Sequence, residues 1–396
     1  MRPIKVLHIS RSDVGGAGGC AWRIHHALLD TGMDSHMLVR RKKHKDDPTV
    51  TSGGHFRYKL GKILSKAGFM TEDERAVSRL KSSGQGCYTL PVSHIDMSRH
   101  PLVKEADIIH LHWINDYIDY PSFFKRVNKP IVWTLHDENL FHGVTHYADS
   151  SIEDKPVELK YRRLKEEWVN GVKNLSIVFL SRMMMRQFGE STVIANASRY
   201  LINNMVDCDK FTPVDKTYAR RQFGLSPDEK VLTFVAADIK DPRKGLDRLV
   251  EAVRLTGRDD IRILAVGNNT GAIDYPYTVQ IGTIRDPRQL SSAYSAGDVF
   301  ALSSQSEAFA QTPLEAMACG RPVVMFPISG SEDLITSGNG VVCDNFSIRS
   351  LKDAIETTLS RHYDPVAIRA DIATRFSPGT IASHYIDVYK TALNKQ

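Results

Sequence analysis

Short apolar runs alternate with helix-like stretches twice along this chain, and a linker near residue 205 separates the two series. Apolar runs of three to six residues between helical segments are typical of buried parallel strands in βαβ units. The pattern therefore predicts an α/β fold with two doubly wound, Rossmann-like parallel-sheet domains. The runs of the first series are 6–9, 36–39, 108–111, 131–135 and 177–180, and those of the second are 231–235, 261–266, 279–281, 299–302 and 322–326.

The length and composition fit two globular domains. At 396 residues the chain exceeds a usual single hydrophobic core. Hydrophobic residues make up 42% and charged residues 25% of the chain, which argues against long disorder or a repeat array. No apolar stretch approaches the roughly 20 residues needed to span a bilayer, and the N-terminus is interpreted as a first strand and not as a signal peptide.

The cysteines indicate a reducing compartment. The five cysteines are scattered, and no pair has the C-x-x-C spacing of a zinc or redox site. We therefore expect no metal site and a cytoplasmic location.

The loop that follows the run 299–302 carries two carboxylates, Glu307 and Glu315, with seven residues between them. Open α/β sheets bind ligands at the carboxyl ends of their strands, so this loop is expected to line a crevice. Thr312 and Pro313 then predict the start of a helix, with threonine as the N-cap and proline at the first helical position. Carboxylates, main-chain N–H groups and a helix N-terminus together suit a polyhydroxylated, negatively charged ligand such as a sugar nucleotide.

Both acids also have interpretations that need no ligand. Glu315 stands three residues after Thr312, which is the spacing of a capping box, and its carboxylate would then return to the N–H of the cap. Glu307 has no such local role, although an acid in a loop is usually solvated. The whole pattern, and not either acid alone, favours a ligand site.

A glycine-rich turn follows the first strand. Gly15, Gly16 and Ala17 open it, and main-chain N–H groups in such a turn can approach a phosphate closely. The segment also satisfies the G-x-G-x-x-A pattern of dinucleotide-binding folds, and Arg40 and Arg41 end the second strand, where an NADP enzyme carries its phosphate clamp. The turn therefore fits a sugar-nucleotide enzyme or an NADP-dependent oxidoreductase.

Histidines and cations stand at other predicted strand ends. His110, His112 and His136 stand at the ends of two neighbouring strands of the first domain, which directs them to the ligand-binding edge. Arg243 and Lys244 follow the first strand of the second domain, and two adjacent cations there can neutralise a diphosphate leaving group. A lone histidine is more often a hydrogen-bonded core residue, and a Lys/Arg pair at a helix start is more often solvated, so these assignments depend on the whole pattern.

The segment from Glu307 to Glu315 resembles the Glu-x-Phe-Gly plus Glu signature of the retaining glycosyltransferases of family four, which have the GT-B fold. The resemblance implies that Glu307 holds hydroxyls of the donor sugar and that Glu315 holds the ribose hydroxyls. It also implies that the main chain of Phe309 and Ala310, followed by Gln311, approaches the sugar or the diphosphate. Ala310 stands where the family usually has glycine, so a methyl group must be accommodated there.

The same resemblance extends to other motifs. It implies that Gly15, Gly16 and Ala17 face the donor diphosphate and the acceptor, and that His136 contacts the donor sugar near the reacting carbon. In the second half it implies that Arg243 and Lys244 contact the diphosphate. It also implies that Gly282 and Thr283 contact the base.

The resemblance also divides the chain. Residues 202–207 resemble the interdomain linker of the family. This places an N-terminal Rossmann-like, acceptor-side domain at 1–205 and a Rossmann-like nucleotide-sugar-binding domain at 206–380. Residues 381–396 are then a C-terminal helix that braces the N-terminal domain, and the two domains are expected to face a cleft.

The predicted activity is a retaining, metal-independent transfer of a hexosyl group from a nucleotide-diphosphate sugar to a hydroxyl. By resemblance, the acceptor is a glycan or a lipid-linked acceptor of surface polysaccharide biosynthesis, and no cofactor is needed beyond the donor substrate. Three alternatives keep part of the pattern: a GT-B nucleotide-sugar epimerase, an NADP-dependent oxidoreductase and a catalytically silent sugar-nucleotide-binding protein.

Residues 40–81 form a basic segment. They hold twelve basic and five acidic residues, and apolar residues recur at helical spacing between positions 56 and 67. That pattern is typical of a helix on an anionic membrane surface, which would place the protein peripherally on the inner face of the membrane. An amphipathic helix packed on its own core has the same pattern. Nucleic acid is not expected as a partner, because no aromatic-plus-basic platform accompanies the charge.

Overall fold

The computed structural model describes residues 4–54, 63, 69–82, 86–271 and 277–395. The chain separates into two compact units. Unit 1 consists of Met1–Leu180, Met184–Asn203 and Ile381–Gln396, and unit 2 consists of Ser181–Met183 and Asn204–Thr380.

Unit 1 is built on a seven-stranded parallel sheet with the order β3-β2-β1-β4-β5-β6-β7. The strands are β1 (Lys5–Ser12), β2 (Asp34–Arg41), β3 (Val50–Ser52), β4 (Ile108–Leu111), β5 (Ile131–Thr134), β6 (Leu175–Phe179) and β7 (Ser198–Leu201). The helices are α1 (Gly15–Asp30), α2 (Glu72–Ser82), α3 (Pro101–Glu105), α4 (Tyr120–Arg126), α5 (Pro156–Asn170) and α6 (Arg182–Phe188), of which α6 begins in unit 2. The order reverses between β1 and β4, where His8 is the register partner of His110.

Unit 2 is built on a six-stranded parallel sheet with the order β10-β9-β8-β11-β12-β13. The strands are β8 (Lys230–Asp238), β9 (Ile261–Asn268), β10 (Thr278–Ile281), β11 (Val299–Leu302), β12 (Val323–Met325) and β13 (Gly340–Val342). The helices are α7 (Lys216–Gln222), α8 (Leu246–Thr256), α9 (Pro287–Ala296), α10 (Gln311–Ala318), α11 (Ser331–Leu334), α12 (Ile348–Ser360) and α13 (Pro365–Phe376). The order reverses between β8 and β11, which are hydrogen-bonded neighbours. The last helix, α14 (Pro378–Leu393), belongs to unit 1 from Ile381 onward.

Local sequence explains where several helices begin. Asp119, Asp286 and Asp364 each precede a helix with proline in its first two positions, and each aspartate accepts a hydrogen bond from a main-chain N–H of the first turn. The carboxylate satisfies a donor that has no partner within the helix, and proline has no such donor to satisfy.

The predicted architecture of two doubly wound parallel sheets is confirmed. The apolar runs 108–111 and 299–302 coincide with β4 and β11, which are buried along their whole length. Three strands were not predicted, β3, β7 and β13, which are edge strands of three or four residues. These strands are only partly buried, so their residues need not form an apolar run.

Other expectations concern the membrane and the cysteines. No helix in the described ranges is long and apolar enough to cross a membrane. The predicted amphipathic helix between positions 56 and 67 lies outside the described residues except for Ile63, so it stays a prediction. No disulfide joins any of the five cysteines, all of which fall within the described ranges.

Candidate active site

In unit 2, the loops that follow β8 and β11 lie where the strand order reverses. Such a reversal opens a crevice at the carboxyl ends of the two strands, where doubly wound sheets bind ligands. Lys244 lies on the first loop and Glu307 on the second, and the Lys244 Nζ donates to the Glu307 Oε1 at 2.5 Å. The lysine side chain is 30% exposed and the glutamate side chain 16%, so a ligand can reach the pair.

Backbone contacts fix the two loops to each other. Gly245 has a φ of 77°, in the left-handed region that favours glycine, and a Cβ there would lie 2.3 Å from the carbonyl oxygen of Ser303. The Ser303 hydroxyl donates to the carbonyl oxygens of Gly245 at 2.7 Å and of Lys244 at 3.2 Å. The position of Lys244 relative to Glu307 is therefore set by the backbone as well as by the ion pair.

Arg243 makes a different contact from Lys244. Its guanidinium is 55% exposed, and its Nη2 lies 2.7 Å from Asp241 Oδ2 on the same loop. Partial burial acts to raise the pKa of Asp241, but hydrogen bonds from Arg243 hold that pKa below its ordinary value. Of the two predicted diphosphate ligands, Lys244 is thus the one whose side chain pairs with Glu307, whereas the carbonyl oxygen of Arg243 accepts the main-chain N–H of Gln305 on the same loop at 3.0 Å.

Phe309, Ala310 and Gln311 lead from the second loop into α10. The Nδ2 of Asn204 donates to the Phe309 carbonyl at 3.1 Å, and the Nε2 of Gln311 donates to the Met205 carbonyl at 2.9 Å. Ala310 has a φ of −68° and a ψ of 136°, an extended conformation that alanine adopts without strain. Alanine in place of the family's glycine therefore carries no conformational cost.

The predicted helix start and the capping box were wrong. Helix α10 begins at Gln311 with Ala310 as its N-cap, and Thr312 lies inside the helix. The carboxylate of Glu315 accepts a hydrogen bond of 2.7 Å from the hydroxyl of Tyr294, which is fully buried on α9. Burial and the negative charge of Glu315 raise the pKa of Tyr294 well above its ordinary value. Glu315 is thus held by a neighbouring helix, which the local sequence does not reveal.

Gly282 and Thr283 follow β10 and are exposed. The Thr283 hydroxyl donates to Asn268 Oδ1 at 2.5 Å, at the end of the neighbouring strand β9. These two residues lie on the same carboxyl edge of the sheet as the loop of Lys244, with β9 between β10 and β8.

In unit 1, the glycine-rich segment lies in helix α1 and not in a turn before it. The helix begins at Gly15, so Gly15, Gly16 and Ala17 form its first turn, and a separate turn was the wrong expectation. A Cβ built on Gly18 would lie 2.3 Å from the carbonyl oxygen of Ser12, so glycine lets the helix begin directly beside the end of β1. A Cβ on Gly15 or Gly16 would meet open space, so the helix N-terminus is accessible to a ligand.

A line of hydrogen-bonded histidines runs inward from His136. The His136 Nε2 lies 3.1 Å from the His112 Nδ1, and the His112 Nε2 lies 2.9 Å from the His8 Nδ1. Burial lowers the pKa values of His8 and His112 well below their ordinary value and lowers that of His136 to about 4. All three imidazoles are therefore neutral at pH 7.

One arrangement of protons satisfies this line. Each of the two bonds needs one N–H donor, and the Nε2 of His8 is buried without a hydrogen-bond partner. A buried N–H with no acceptor is rare and costly, so His8 carries its proton on Nδ1. His112 and His136 then also carry theirs on Nδ1. The Nδ1 of His136 makes no hydrogen bond with the described residues, and it is left as a donor for a ligand.

His110 belongs to the core of unit 1. Its Nδ1 lies 2.7 Å from the Tyr389 hydroxyl on α14, and its Nε2 lies 2.8 Å from the Thr134 hydroxyl. The Thr134 hydroxyl is also 3.0 Å from that of Tyr385, again on α14. Both ring nitrogens of His110 therefore point to residues of its own unit, and His136 is the predicted histidine that can serve a ligand.

An ion pair next to His136 joins two residues whose contact was not predicted from the sequence. The His146 Nδ1 lies 2.5 Å from the Asp137 Oδ2, and the Trp113 Nε1 donates to the same oxygen at 2.7 Å. Burial alone would lower the pKa of His146, but the Asp137 carboxylate raises it to about 9. The sequence signal for this ion pair was the dipeptide His136-Asp137 at the end of a strand, followed by His146.

Two buried charged side chains on α5 hold the loop at residues 137–147. The carboxylate of Glu158 accepts the main-chain N–H of Val144 at 2.7 Å. The Nζ of Lys165 donates to the Oδ1 of Asn139 and to the carbonyl of His142, each at 2.8 Å. Burial lowers the pKa of Lys165 to about 7. Charged residues on a helix usually face solvent, so nothing in the sequence marks these two as interior.

Two clusters in the described ranges have side chains that could hold a metal ion. The ligand atoms of each lie within 4.8 Å of one another. In the fully buried cluster, hydrogen bonds already occupy every ring nitrogen except the Nε2 of His8, so these bonds account for its geometry. We therefore assign no metal to it. The clusters are His8 with His110 and His112, and His25 with His26 and Asp47.

Part of this chain matches a known protein family, and curated relatives match it over different lengths. Residues 215–372, which lie within unit 2, match the family described as glycosyl transferases group 1. A D-inositol 3-phosphate glycosyltransferase of Mycobacteroides abscessus is 34% identical over 184 residues, which cover 37% of this chain and 40% of that protein. A protein of the same name from Gordonia bronchialis is 24% identical over 374 residues, which cover 88% of this chain and 77% of that protein.

Solved structures resemble the whole chain. Sucrose-phosphate synthase of Thermosynechococcus elongatus superimposes with a TM-score of 0.65 at 19% identity, over 99% of this chain and 100% of that one. HepE of Anabaena, in complex with UDP and glucose, superimposes with a TM-score of 0.62 at 18% identity, over 98% of this chain and 100% of that one. At these identities the likeness concerns the fold alone.

Proposed function

We propose, from the GT-B fold and the group 1 glycosyltransferase domain that this chain carries, that it transfers a sugar from a nucleotide-diphosphate sugar to a hydroxyl, with retention at the anomeric carbon. The observation that carries this proposal is the Lys244–Glu307 pair at the strand-order reversal of unit 2. A nucleotide-sugar site needs a cation for the diphosphate and a carboxylate for the sugar hydroxyls, and this pair supplies both side by side.

In this proposal, unit 2 holds the donor. The ammonium of Lys244 stabilises the negative charge that grows on the diphosphate as the glycosidic bond breaks. Glu307 accepts hydrogen bonds from the sugar hydroxyls, which orients the sugar for attack. Glu315, held by Tyr294, accepts the ribose hydroxyls. The exposed turn after β10 takes the base.

In this proposal, unit 1 contributes a hydrogen-bond donor to the sugar and binds the acceptor. The Nδ1–H of His136 donates to an oxygen of the donor sugar, and the N-terminus of α1 at Gly15 favours a phosphate. The acceptor hydroxyl attacks the face from which the diphosphate departs, and a phosphate oxygen takes its proton. Positive charge from Lys244 and Arg243 replaces the metal that other transferases use, so we propose that the reaction needs none.

We further propose a glycan or lipid-linked acceptor, as in surface polysaccharide assembly, and a location on the cytoplasmic face of a membrane. The exposed cations at the start of the basic segment 40–81 support contact with anionic lipid. Co-sedimentation with anionic and with neutral vesicles at rising salt tests the contact, because binding to anionic lipid should weaken as salt screens the charges. Equal binding to both kinds of vesicle would refute it.

The direct test is nucleotide release by the purified full chain from a panel of UDP-, GDP- and ADP-sugars, with and without a lipid-linked acceptor. We expect rapid release from one donor only when the acceptor is present, no loss of activity in EDTA, and a product with the anomeric configuration of the donor. Release of nucleotide with epimerised free sugar would indicate an epimerase. Binding without release would indicate a catalytically silent protein.

A further inference from the structure

A cavity of unit 1 outside the proposed donor contacts is lined almost wholly by cations. Its volume is about 560 Å³. It lies at the end of β2, on the carboxyl edge that also carries the start of α1, because Arg41 is the register partner of Ser12 at the end of β1. The lining residues are Arg40, Arg41, Lys42, Lys43, Lys45 and Ser52.

We propose that this cavity binds a phosphate group of the acceptor. The assignment of this phosphate to the acceptor rests on the proposed function, whereas the binding of phosphate rests on the cavity itself. A phosphate ester offers several charged oxygens, which suits a cavity with guanidinium and ammonium donors on its walls.

The loop that carries these cations is held in place by buried groups. The carboxylate of Asp13, which is 0% exposed, accepts the main-chain N–H groups of Lys43 at 2.8 Å and of His44 at 2.9 Å. The ring of Trp22 stacks on that of His44 with centroids 4.5 Å apart and planes 17° apart. A cationic loop with a fixed backbone loses little freedom when an anion binds.

Three cations of this loop have no carboxylate partner among the described residues. In the described part of the chain, no carboxylate forms an ion pair with Arg41, Lys43 or Lys45, which are all exposed. Two acids that contact this part of the chain have other partners: Asp13 accepts main-chain hydrogen bonds and lies 3.3 Å from the His44 Nδ1, and Asp47 lies 2.7 Å from the His26 Nε2. Like charges gathered around one cavity repel each other, and a bound anion removes that repulsion.

Arg40 adds a buried guanidinium to the cavity wall. Its side chain is 1% exposed, and its Nη1 donates to the carbonyl oxygen of Asp116 at 2.5 Å. Asp116 has a φ of 56°, so the carbonyl is presented by a left-handed backbone conformation that is uncommon for aspartate. The guanidinium therefore adds a fixed positive charge beside the cavity, which favours an anion there.

The test compares two triple variants of the full chain with the same loss of charge. R41A/K43A/K45A removes the three exposed cations of the cavity. The control, K125A/K173A/K395A, removes three exposed lysines that line another cavity of unit 1. Neither variant touches a residue of the proposed donor site, and thermal unfolding checks that both fold.

Inorganic phosphate and pyrophosphate are the first probes, followed through the amide NMR signals of His44 and Ser52. We expect saturable shifts at these amides, a dissociation constant raised at least about tenfold in the cavity variant, and no change in the control. No shift at these amides, or equal affinity in both variants, would overturn the proposal. Because no turnover is measured, a chain that binds phosphate here but transfers no sugar contradicts the proposed function and not this site.

A second experiment identifies where the phosphate comes from. Glucose 6-phosphate and glucose are compared in solution, and phosphatidylglycerol vesicles are compared with phosphatidylcholine vesicles. Shifts with glucose 6-phosphate indicate a soluble phosphorylated acceptor, and shifts with phosphatidylglycerol vesicles alone indicate a phosphate borne by lipid. With an active acceptor in hand, the cavity variant should raise its KM and leave kcat unchanged, whereas an unchanged KM would overturn the assignment to the acceptor.

Discussion

The hydroxyl of Tyr294 on α9 donates a hydrogen bond of 2.7 Å to the carboxylate of Glu315 on α10. Because Tyr294 is fully buried, it fixes the rotamer of a carboxylate that we propose for the ribose of the donor. Binding at this position thus depends on how two helices of unit 2 pack, and not on a capping box within one of them.

Tyr294→Phe tests this dependence. Without the hydroxyl, Glu315 loses its orientation, so we expect KM for the nucleotide sugar to rise several-fold with kcat nearly unchanged. Loss of one buried hydrogen bond should lower the free energy of unfolding by about 1 kcal/mol. Initial rates and denaturant unfolding measure both effects. The control is Tyr363→Phe, because the Tyr363 hydroxyl has no hydrogen-bond partner in the described part of the chain. An unchanged KM in Tyr294→Phe would show that the contact is structural alone.

Lys244→Met removes the cation beside Glu307. We expect kcat to fall by about 10²–10³, the usual loss when one preorganised donor to a developing charge is removed. Since the pair is partly exposed, the free energy of unfolding should change by less than about 1 kcal/mol. Single-turnover kinetics and thermal unfolding give the two values. The matched control is Lys352→Met, whose ammonium lies 2.7 Å from Glu356 on the surface of α12. A normal kcat in Lys244→Met would remove this residue from the leaving-group site.

The histidine line predicts which nitrogen of His136 carries the proton. In the wild-type chain, ¹⁵N resonances of His136 should show a protonated Nδ1 and a bare Nε2. His8→Met removes the donor at the buried end, so His136 should become a mixture of both tautomers although His8 does not touch it. A loss of stability alone in this variant would not change the tautomer of His136. A protonated Nε2 on His136 in the wild type, or an unchanged tautomer in the variant, would contradict the proposed arrangement.

The Asp137–His146 pair predicts a pH dependence of stability. The pKa of His146 is raised from 6.5 to about 9 in the folded state, so the stabilisation is complete below pH 6.5 and is lost as the pH rises through 9. The difference in the free energy of unfolding between wild type and Asp137→Asn should therefore be largest near pH 6, at no more than about 3 kcal/mol, and should shrink toward pH 9.5. Denaturant unfolding at several pH values measures it. A difference that grows with pH would show that His146 is neutral in the folded chain.

The sequence was sufficient for the fold because its central strands are buried on both faces. Strands β4 and β11 appear as unbroken apolar runs, and each lies at a reversal of strand order. The loops after such strands could therefore be placed at a ligand-binding edge from the sequence alone. Glu307 lies on the loop after β11, and Lys244 lies on the loop after the neighbouring strand β8.

The polar interior could not be predicted, because its partners are far apart in sequence. His8 and His112 are separated by 104 residues, and Tyr294 contacts Glu315 across two helices. Hydrophobic periodicity says which face of an element is buried and nothing about which buried polar groups meet. The same limit explains why the burial of Lys165, a charged helical residue that is 0% exposed, was not predicted.

The most direct measurement of the central claim is nucleotide release by Glu307→Gln beside wild type and Glu251→Gln, with the active donor and acceptor. Glu251 is a half-exposed acid on α8 that pairs with Arg254, so its variant controls for the loss of one negative charge in unit 2. We predict that Glu307→Gln loses turnover while its thermal midpoint stays close to that of wild type, and that Glu251→Gln keeps both. Full turnover by a folded Glu307→Gln chain would contradict the account.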